Sequence, residues 1–287
     1  MPEGPEIRRA ADRLRKALEG RQVIEVRFAS DRFPQLRRDG VRLSGRRVIA
    51  VQPRGKAMLT HFERGLTIYS HNQLYGEWVV HRGPAPPTHL QTRLSLRTAT
   101  HTVVLYSASE IEVLKTADVG RHPYIARLGV ELLDPATRIG DVLRQIDDPR
   151  FGRRGLGALL LDQGFLAGPG NYLRSDILFA ARLRPEVKPA DLTPAQKRAL
   201  GRAAIDLTRR SYRTGGITND PAHARSLKAR GMCFAAYRHW VFEREGEPCR
   251  LCGHTIRRID AGGRGLFLCE HCQPALNPSS NLSRISP

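Results

Sequence analysis

Long hydrophobic runs are missing from this chain. The longest unbroken apolar stretch in its 287 residues is the six from Met232 to Tyr237, far short of the about 20 that a helix needs to cross a bilayer. Its opening Met-Pro-Glu-Gly lacks the charged and then apolar segments of a secretory leader, so the expectation is a folded, cytoplasmic protein. Cysteine is scarce, with five residues of which four form two close pairs near the end and Cys233 stands alone. An odd, clustered set argues against a disulfide scaffold and for metal in a reducing compartment. Acidic residues are in short supply too, with Asp+Glu 28 against Lys+Arg 47, a formal net charge of +19. Lysine supplies little of that excess: Lys16, Lys56, Lys115, Lys188, Lys197 and Lys228 are the whole set. Arginine grips phosphates in bidentate fashion, so a polyanion is the default partner, with a basic surface kept for solubility or set by codon usage as the alternative.

What is present reads as an ordinary globular composition, 40% hydrophobic and 26% charged, in a length that suits one large or two modest domains. From Glu3 to about Leu18, Ile7, Ala10, Ala11, Leu14 and Leu18 recur at three and four residues, the stripe of an amphipathic helix. After Gly20 the texture changes to short alternating runs, Val23 to Phe28, Arg47 to Val51, Met58 to Phe62, Leu66 to Tyr69, Arg93 to Arg97 and Thr102 to Tyr106. Such repeated period-2 segments predict an antiparallel sandwich or barrel, with the proline-rich Arg82 to Thr88 as an exposed loop. Beyond about Arg121 the pattern turns helical, over Ile139 to Ile146, Leu156 to Gln163, Tyr172 to Ala181 and Pro194 to Arg210, the last capped by Thr193. Tyr212 to about Arg230 reads as a mobile linker and the Pro/Ser/Asn-rich end from Gln273 as disordered. There is no internal repeat.

Cys249, Cys252, Cys269 and Cys272 spell C-x2-C, sixteen intervening residues and C-x2-C, with a glycine-rich turn at Gly262, Gly263 and Gly265. That spacing closes a tetrahedral thiolate site around one zinc ion on a β-hairpin, and four protein ligands leave no position for water activation, so the zinc is structural. His254 and His271 beside the knuckles read as surplus surface histidines. Arg264 at the tip is placed to meet a phosphate, or is a solvated turn residue.

Proline at position 2 carries a chemical consequence. If the initiator Met1 is removed, Pro2 presents a free secondary amine, and an α-amine titrates at about 7.7–8.0, leaving a substantial neutral fraction near neutral pH. Condensed with a sugar C1 it gives a cationic iminium, a strong electron sink. Glu3 is adjacent and Glu6 one turn on, although carboxylates there also serve as complements of the helix dipole.

Taken together, Met-Pro-Glu-Gly-Pro-Glu-Ile-Arg-Arg-Ala at the start, Arg54-Gly55-Lys56, His71-Asn72-Gln73-Leu74-Tyr75-Gly76, Gly168-Pro169-Gly170-Asn171-Tyr172-Leu173 and the terminal zinc ribbon resemble the Fpg/Nei family of DNA glycosylases. The likeness runs in the family's order from Pro2 to Gln273, and the Pro-Glu-Gly-Pro-Glu start and Asn-Gln-Leu-Tyr turn favour its Nei branch. The resemblance implies an α+β multidomain fold: an N-terminal helix with an antiparallel β-sandwich (residues 1–120), a hinge (121–135), a helix-two-turn-helix DNA-binding domain (136–230), a zinc finger (238–273) and a tail (274–287). It implies a monomeric, bifunctional glycosylase/AP lyase of base-excision repair that removes oxidised pyrimidines from double-stranded DNA, acts on abasic sites, and cuts by β,δ-elimination through an N-terminal proline Schiff base. Pro2 is the implied nucleophile, Glu3 handles protons at the sugar ring oxygen, Lys56 is the general acid/base, and Arg264 takes part in elimination. Lysine at 56 fits that role, since arginine does not exchange a proton near neutral pH. Gln73, Leu74 and Tyr75 are the implied wedge that fills the gap left by a flipped base, and Arg127 and Asn171 the implied phosphate contacts.

The chain departs from the pattern at Pro169, where an apolar residue is expected, at Asp176, where a longer carboxylate is usual, and at a fingertip, Gly262-Gly263-Arg264-Gly265, reminiscent of the formamidopyrimidine branch. Two alternatives follow: a formamidopyrimidine-type glycosylase preferring oxidised purines, and a noncatalytic damaged-DNA-binding protein.

Overall fold

The computed structural model describes residues 2–275. The tail expected at 274–287 lies outside them from residue 276 onward. The chain divides into two compact units, Met1–Leu133 and Asp134–Pro287.

The first unit opens with α1 (Gly4–Leu18), capped at Glu3, with Pro5 in the first turn and Ile7, Ala10, Ala11, Leu14 and Leu18 buried. Then follow β1 (Glu25–Phe28), a 3-10 turn at Pro34–Leu36, α2 (Arg37–Leu43), β2 (Val48–Arg54), β3 (Ala57–Phe62), β4 (Leu66–His71), β5 (Glu77–Arg82), β6 (Thr92–Arg97), β7 (His101–Tyr106) and β8 (Glu110–Lys115). Two four-stranded antiparallel sheets result, ordered β2-β3-β4-β8 and β1-β6-β7-β5. The stripe of α1 joins Val51, Met58, Phe62 and Ile68 of one sheet and Trp78, Leu94, Leu96, Val103 and Leu105 of the other in a single apolar core. The opposite face of the first sheet is apolar as well: Ala57, Leu59 and Tyr69 pack with Val119, Tyr124 and Ile125. Those last residues belong to a 3-10 segment (Thr116–Arg121) and to α3 (Pro123–Ala126), after which the two-residue β9 (Val130–Glu131) ends the ordered elements of the unit.

The sequence pattern misses α2, β5 and β8. Both strands are sheet edges, and both carry charged residues among the apolar ones, Glu77 and Arg82 in one and Glu110, Glu112 and Lys115 in the other, which is how natural edge strands avoid further pairing.

In the second unit come α4 (Ile139–Asp147), α5 (Leu156–Leu159), β10 (Leu166–Ala167), α6 (Asn171–Ala180), α7 (Pro194–Thr214), α8 (Pro221–Ala229), α9 (Phe234–Arg238) and the hairpin β11 (Arg257–Asp260) and β12 (Gly265–Leu268). The expected stripe of α7, Leu200, Ala203, Ala204 and Leu207, is buried, and Gly201 lets α4 approach: a Cβ there would sit 2.8 Å from Ile139 Cδ1. Thr193 and Gln196 cap α7 reciprocally, Gln196 N donating to Thr193 Oγ1 (3.3 Å) and Thr193 N to Gln196 Oε1 (2.9 Å).

Three expectations need correction. The helix expected over Leu156 to Gln163 ends at Leu159, because Asp162 turns its carboxylate onto the amide of Gly164 (2.9 Å), offering the backbone an alternative to the helix. The segment read as a linker instead forms α8, with Asp220 accepting from the amides of Ala222 and His223 (2.9 Å each) and Pro221 at the first helical position. Thr218 and Asn219, in the same segment, are completely buried. Gln273, placed at the start of the disordered end, is buried too: its side chain accepts from Cys269 N (3.0 Å) and donates to Leu183 O (2.8 Å).

Candidate active site and zinc hairpin

Pro2 is half-buried at the foot of α1. It lines a cleft of about 370 Å³ together with Glu6, Arg9 and Arg13 of the same helix and Leu74 and Tyr75 of the β4–β5 turn. Spacings of four residues bring Arg9 and Arg13 to one side of α1. Glu3 is only 2% exposed, and its backbone N–H donates to Glu6 Oε2 at 3.0 Å. The nucleophile candidate and two of the three wedge candidates therefore share one cleft.

The turn that carries the wedge candidates is tightly specified. Asn72 is buried and its Nδ2 donates to Gly76 O (2.9 Å), while Gly76 N donates back to Asn72 O (2.7 Å). Position 76 must be glycine, since a Cβ would lie 2.4 Å from Asn72 O and 2.6 Å from its Cα. Gln73 takes a left-handed φ of 53°. Leu74 and Tyr75 stand out at 55% and 80% exposure, a position for large apolar groups that invites a ligand.

Lys56 follows Gly55 in the β2–β3 turn and is buried. Gly55 has φ 57°, and a Cβ there would meet Tyr124 Oη at 2.8 Å. The Tyr124 hydroxyl accepts from Lys56 N–H at 2.8 Å, and Glu131 accepts from Gly55 N at 3.2 Å. Burial pushes the Tyr124 phenol up to about 12, so it stays neutral. Its ring meets that of His71 edge-on at 5.2 Å and lies under the Arg127 guanidinium at 5.6 Å. Burial holds the His71 imidazole below its usual range, against the pull of Glu110, with Lys56 and Arg127 acting in the same direction as burial. Tyr124 and Glu131 were not singled out by the sequence, although Tyr124 sits in the same His122 to Arg127 segment that carries Arg127.

The second unit holds the metal centre. The four sulfurs of Cys249, Cys252, Cys269 and Cys272 lie within 4.8 Å of one another, and three of the pairs are 3.4 to 3.8 Å apart. Zn–S bonds of about 2.3 Å in a tetrahedron place sulfurs about 3.8 Å apart, so the cluster fits one structural zinc ion. His254 and His271 are exposed and stack at 4.1 Å.

The fingertip is fastened from below by α6. Arg174, completely buried, donates through Nη1 to Ala261 O (3.1 Å) and through Nη2 to the carbonyls of Arg264 and Gly265 (3.4 Å each). Asn171 Nδ2 donates to Gly265 O (3.0 Å), and its Oδ1 accepts from Arg174 Nη2 (2.6 Å). The backbone at Arg264 is thus fixed while its side chain is exposed. The Asn171 amide, expected at a phosphate, is here engaged with the hairpin.

Asp176, the shorter carboxylate, is completely buried two residues beyond Arg174. It accepts from the amides of Trp240 (3.1 Å), Val241 (2.9 Å) and Phe242 (3.2 Å) and from the Thr218 hydroxyl. Burial opposes its charge, yet His239, Thr218 and the Val241 amide together hold its carboxyl below the ordinary range.

Residues 1–108 match the formamidopyrimidine-DNA glycosylase N-terminal domain, and residues 246–275 match the zinc finger found in FPG and IleRS. The Endonuclease 8 of Escherichia coli O17:K52:H18 (strain UMN026 / ExPEC) is 45% identical over 274 residues, 95% of this chain and 100% of that protein. The same identity and coverage hold for the Endonuclease 8 of Shigella sonnei (strain Ss046). Among solved structures, MutM (Fpg) of Thermus thermophilus superposes with a TM-score of 0.76 at 29% identity, over 95% of this chain and 98% of that one. The Lactococcus lactis Fpg in complex with an oxidised pyrimidine containing DNA, at 20% identity, shares the fold with a TM-score of 0.78 over 96% of this chain and 100% of that one. Fold, site and zinc finger define a DNA glycosylase/AP lyase of base-excision repair. The chain belongs to the formamidopyrimidine-DNA glycosylase and endonuclease VIII family.

Proposed function

We propose that this enzyme removes oxidised pyrimidines from double-stranded DNA and cuts the resulting abasic site through a Schiff base at Pro2. The observation that carries the reading is the cleft in which Pro2 lies beside Leu74 and Tyr75. A base must leave the stack before its C1′ can be reached, and the side chains that replace it belong next to the nucleophile. The Endonuclease 8 relatives support the Nei-branch likeness on which the pyrimidine assignment rests.

Once Met1 is removed, the neutral Pro2 amine attacks C1′, with Glu3 serving proton transfer at the ring oxygen as the bond from C1′ to the base breaks. The base leaves with its electron pair and takes up a proton; Pro2 loses its N–H proton, and the C1′–O4′ bond then opens, the ring oxygen taking up a proton through Glu3, which leaves the C1′ iminium on Pro2. The iminium acidifies the C2′ proton; its removal, with Lys56 as general base, drives β-elimination and breaks the C3′–O bond. A δ-elimination then breaks C5′–O, leaving a one-nucleotide gap with phosphate at both ends. Leu74 and Tyr75 wedge and stack, Gln73 meets the orphaned base, and Arg127 and Arg264 hold phosphates, Arg264 also assisting elimination; Asn171 joins them through the Nδ2 hydrogen that does not bond Gly265 O. Residues 136–230 act as a helix-two-turn-helix module and 238–273 as the zinc finger that presents Arg264. One lesion needs one active site, so a monomer suffices, working in the cytoplasm on nucleoid DNA, where thiols stay reduced for zinc.

Borohydride trapping tests this reading: purified, zinc-replete protein with a duplex carrying one dihydrouracil yields a covalent adduct that peptide mass analysis maps to Pro2. Fully active protein that retains Met1 would overturn it. Preference for 8-oxoguanine over dihydrouracil and thymine glycol would replace the pyrimidine assignment.

A further inference from the structure

Gln73 is held at both ends. Its backbone N–H donates to His71 Nδ1 at 3.1 Å, and its side-chain Nε2 donates to Glu110 Oε2 at 2.7 Å. Glu110 is the first residue of β8 and lies directly across the sheet from His71, the last residue of β4, where the chain leaves the sheet for the wedge turn. The second carboxylate oxygen, Oε1, accepts from the Tyr69 hydroxyl at 3.0 Å, and Tyr69 is completely buried. The carboxylate is therefore anchored in the sheet and reaches up to the turn.

An ionised carboxylate only accepts hydrogen bonds, whereas a glutamine amide has a donating and an accepting end. Turning the Gln73 amide over would set its oxygen against the Glu110 oxygen. The nitrogen end must face Glu110, and the oxygen end, to which no group among the described residues donates, is left for a ligand. In the free chain this bond is exposed and adds little to stability. With the turn inserted in DNA and water excluded, the same contact strengthens.

We propose that Glu110 is a positioning residue for opposite-base specificity: it fixes the polarity of the Gln73 amide, so that the orphaned base is met oxygen first. Guanine, with two neighbouring donors on its Watson–Crick edge, is then preferred over adenine, which offers one donor beside an acceptor. The inference rests on the reading of Gln73-Leu74-Tyr75 as the wedge of a pyrimidine-lesion glycosylase.

The test compares kcat/KM on duplexes with one dihydrouracil opposite guanine or adenine, for the wild-type chain, Glu110→Gln, Glu110→Met, Gln73→Ala and the Glu110→Gln/Gln73→Ala pair. The wild type is expected to favour guanine by at least about fivefold, the low end of what one good base-edge pair discriminates. Glu110→Gln keeps an acceptor for Tyr69 but frees the Gln73 amide to turn, and the ratio falls toward one. Glu110→Met, which offers the amide no carboxylate, gives the same fall and guards against a folding defect peculiar to one variant. Gln73→Ala loses the ratio, and the double variant loses no more. An unchanged ratio in both Glu110 variants, in Gln73→Ala, or a wild-type preference for adenine, overturns the proposal while the glycosylase reading stands. A wild-type enzyme that neither cleaves nor traps on any lesion duplex overturns that reading and the proposal with it.

Discussion

Lys56 owes its place to a phenol 68 residues away in sequence, since the Tyr124 hydroxyl accepts its backbone N–H at 2.8 Å and blocks any side chain at Gly55. Tyr124→Phe removes one buried acceptor, so the unfolding free energy should fall by about 1–3 kcal/mol, measured by urea denaturation. Cleavage of a preformed abasic site should slow as the turn carrying Lys56 loosens, and an unchanged rate would mean that the β2–β3 pairing alone suffices to hold it. Gly76 gives a sharper case. Its missing Cβ would overlap the Asn72 backbone, which has no flexible end to yield. Gly76→Ala must therefore open the wedge turn, and we expect loss of lesion cleavage with one zinc per chain retained by metal analysis. Normal activity in Gly76→Ala would show that the turn tolerates a different shape.

At the scale of elements, α6 and the zinc hairpin form one device. Arg174 turns a buried cation toward three carbonyls of the fingertip, and Asn171 joins it, so metal binding below and arginine clamping behind fix the same loop. Arg174→Met should cost on the order of 3 kcal/mol and weaken strand cleavage through Arg264 without changing the zinc stoichiometry; loss of zinc in this variant would instead make Arg174 part of the metal site's own stability. Asp176 adds a pH dependence to the same helix. Its folded-state carboxyl is held below the ordinary value of 3.8, so its stabilisation is complete above about 4, where an unfolded carboxyl is ionised, and is lost as pH falls through the lower folded value. Acid titration followed by near-ultraviolet circular dichroism should show a transition below about pH 4 that Asp176→Asn abolishes. Much of this architecture was legible in the sequence where one physical signal dominated. The α1 stripe, six of the eight sandwich strands and the α7 cap follow from periodicity and capping chemistry, and the four cysteines follow from spacing. The misses have physical causes. The strands β5 and β8 lie at sheet edges with mixed charge, and α8 is short and mostly exposed, so its Asp220-Pro221 start was its one clear mark. Tyr124, Glu110 and Arg174 act through contacts at long sequence separation, which no local pattern announces.

For the molecule as a whole the dominant quantity is charge. Two compact units carry a net +19 between them, and no helix among the described residues is long and apolar enough to cross a membrane. Zinc and its four thiolates change that balance little, so the chain stays strongly basic with metal bound. Nearly all of the positive charge is arginine, which pairs with phosphate oxygens in a fixed fork. Association with DNA should accordingly be driven by counterion release, with log K falling linearly in log[salt] by about 0.9 for each phosphate neutralised. Fluorescence anisotropy with a lesion-free duplex at several potassium chloride concentrations measures that slope. If Arg264 reaches a phosphate from its pinned loop, Arg264→Ala should weaken binding about equally on every sequence and reduce the slope by about one. If it is a solvated turn residue, slope and affinity stay as they are, and the rigid fingertip has some purpose other than aiming a guanidinium. The same titration with a noncleavable abasic analogue separates charge from recognition: if Leu74 and Tyr75 fill the base gap as proposed, the added affinity for the analogue should persist at high salt, because such filling does not depend on released ions, while the phosphate part of the binding falls away.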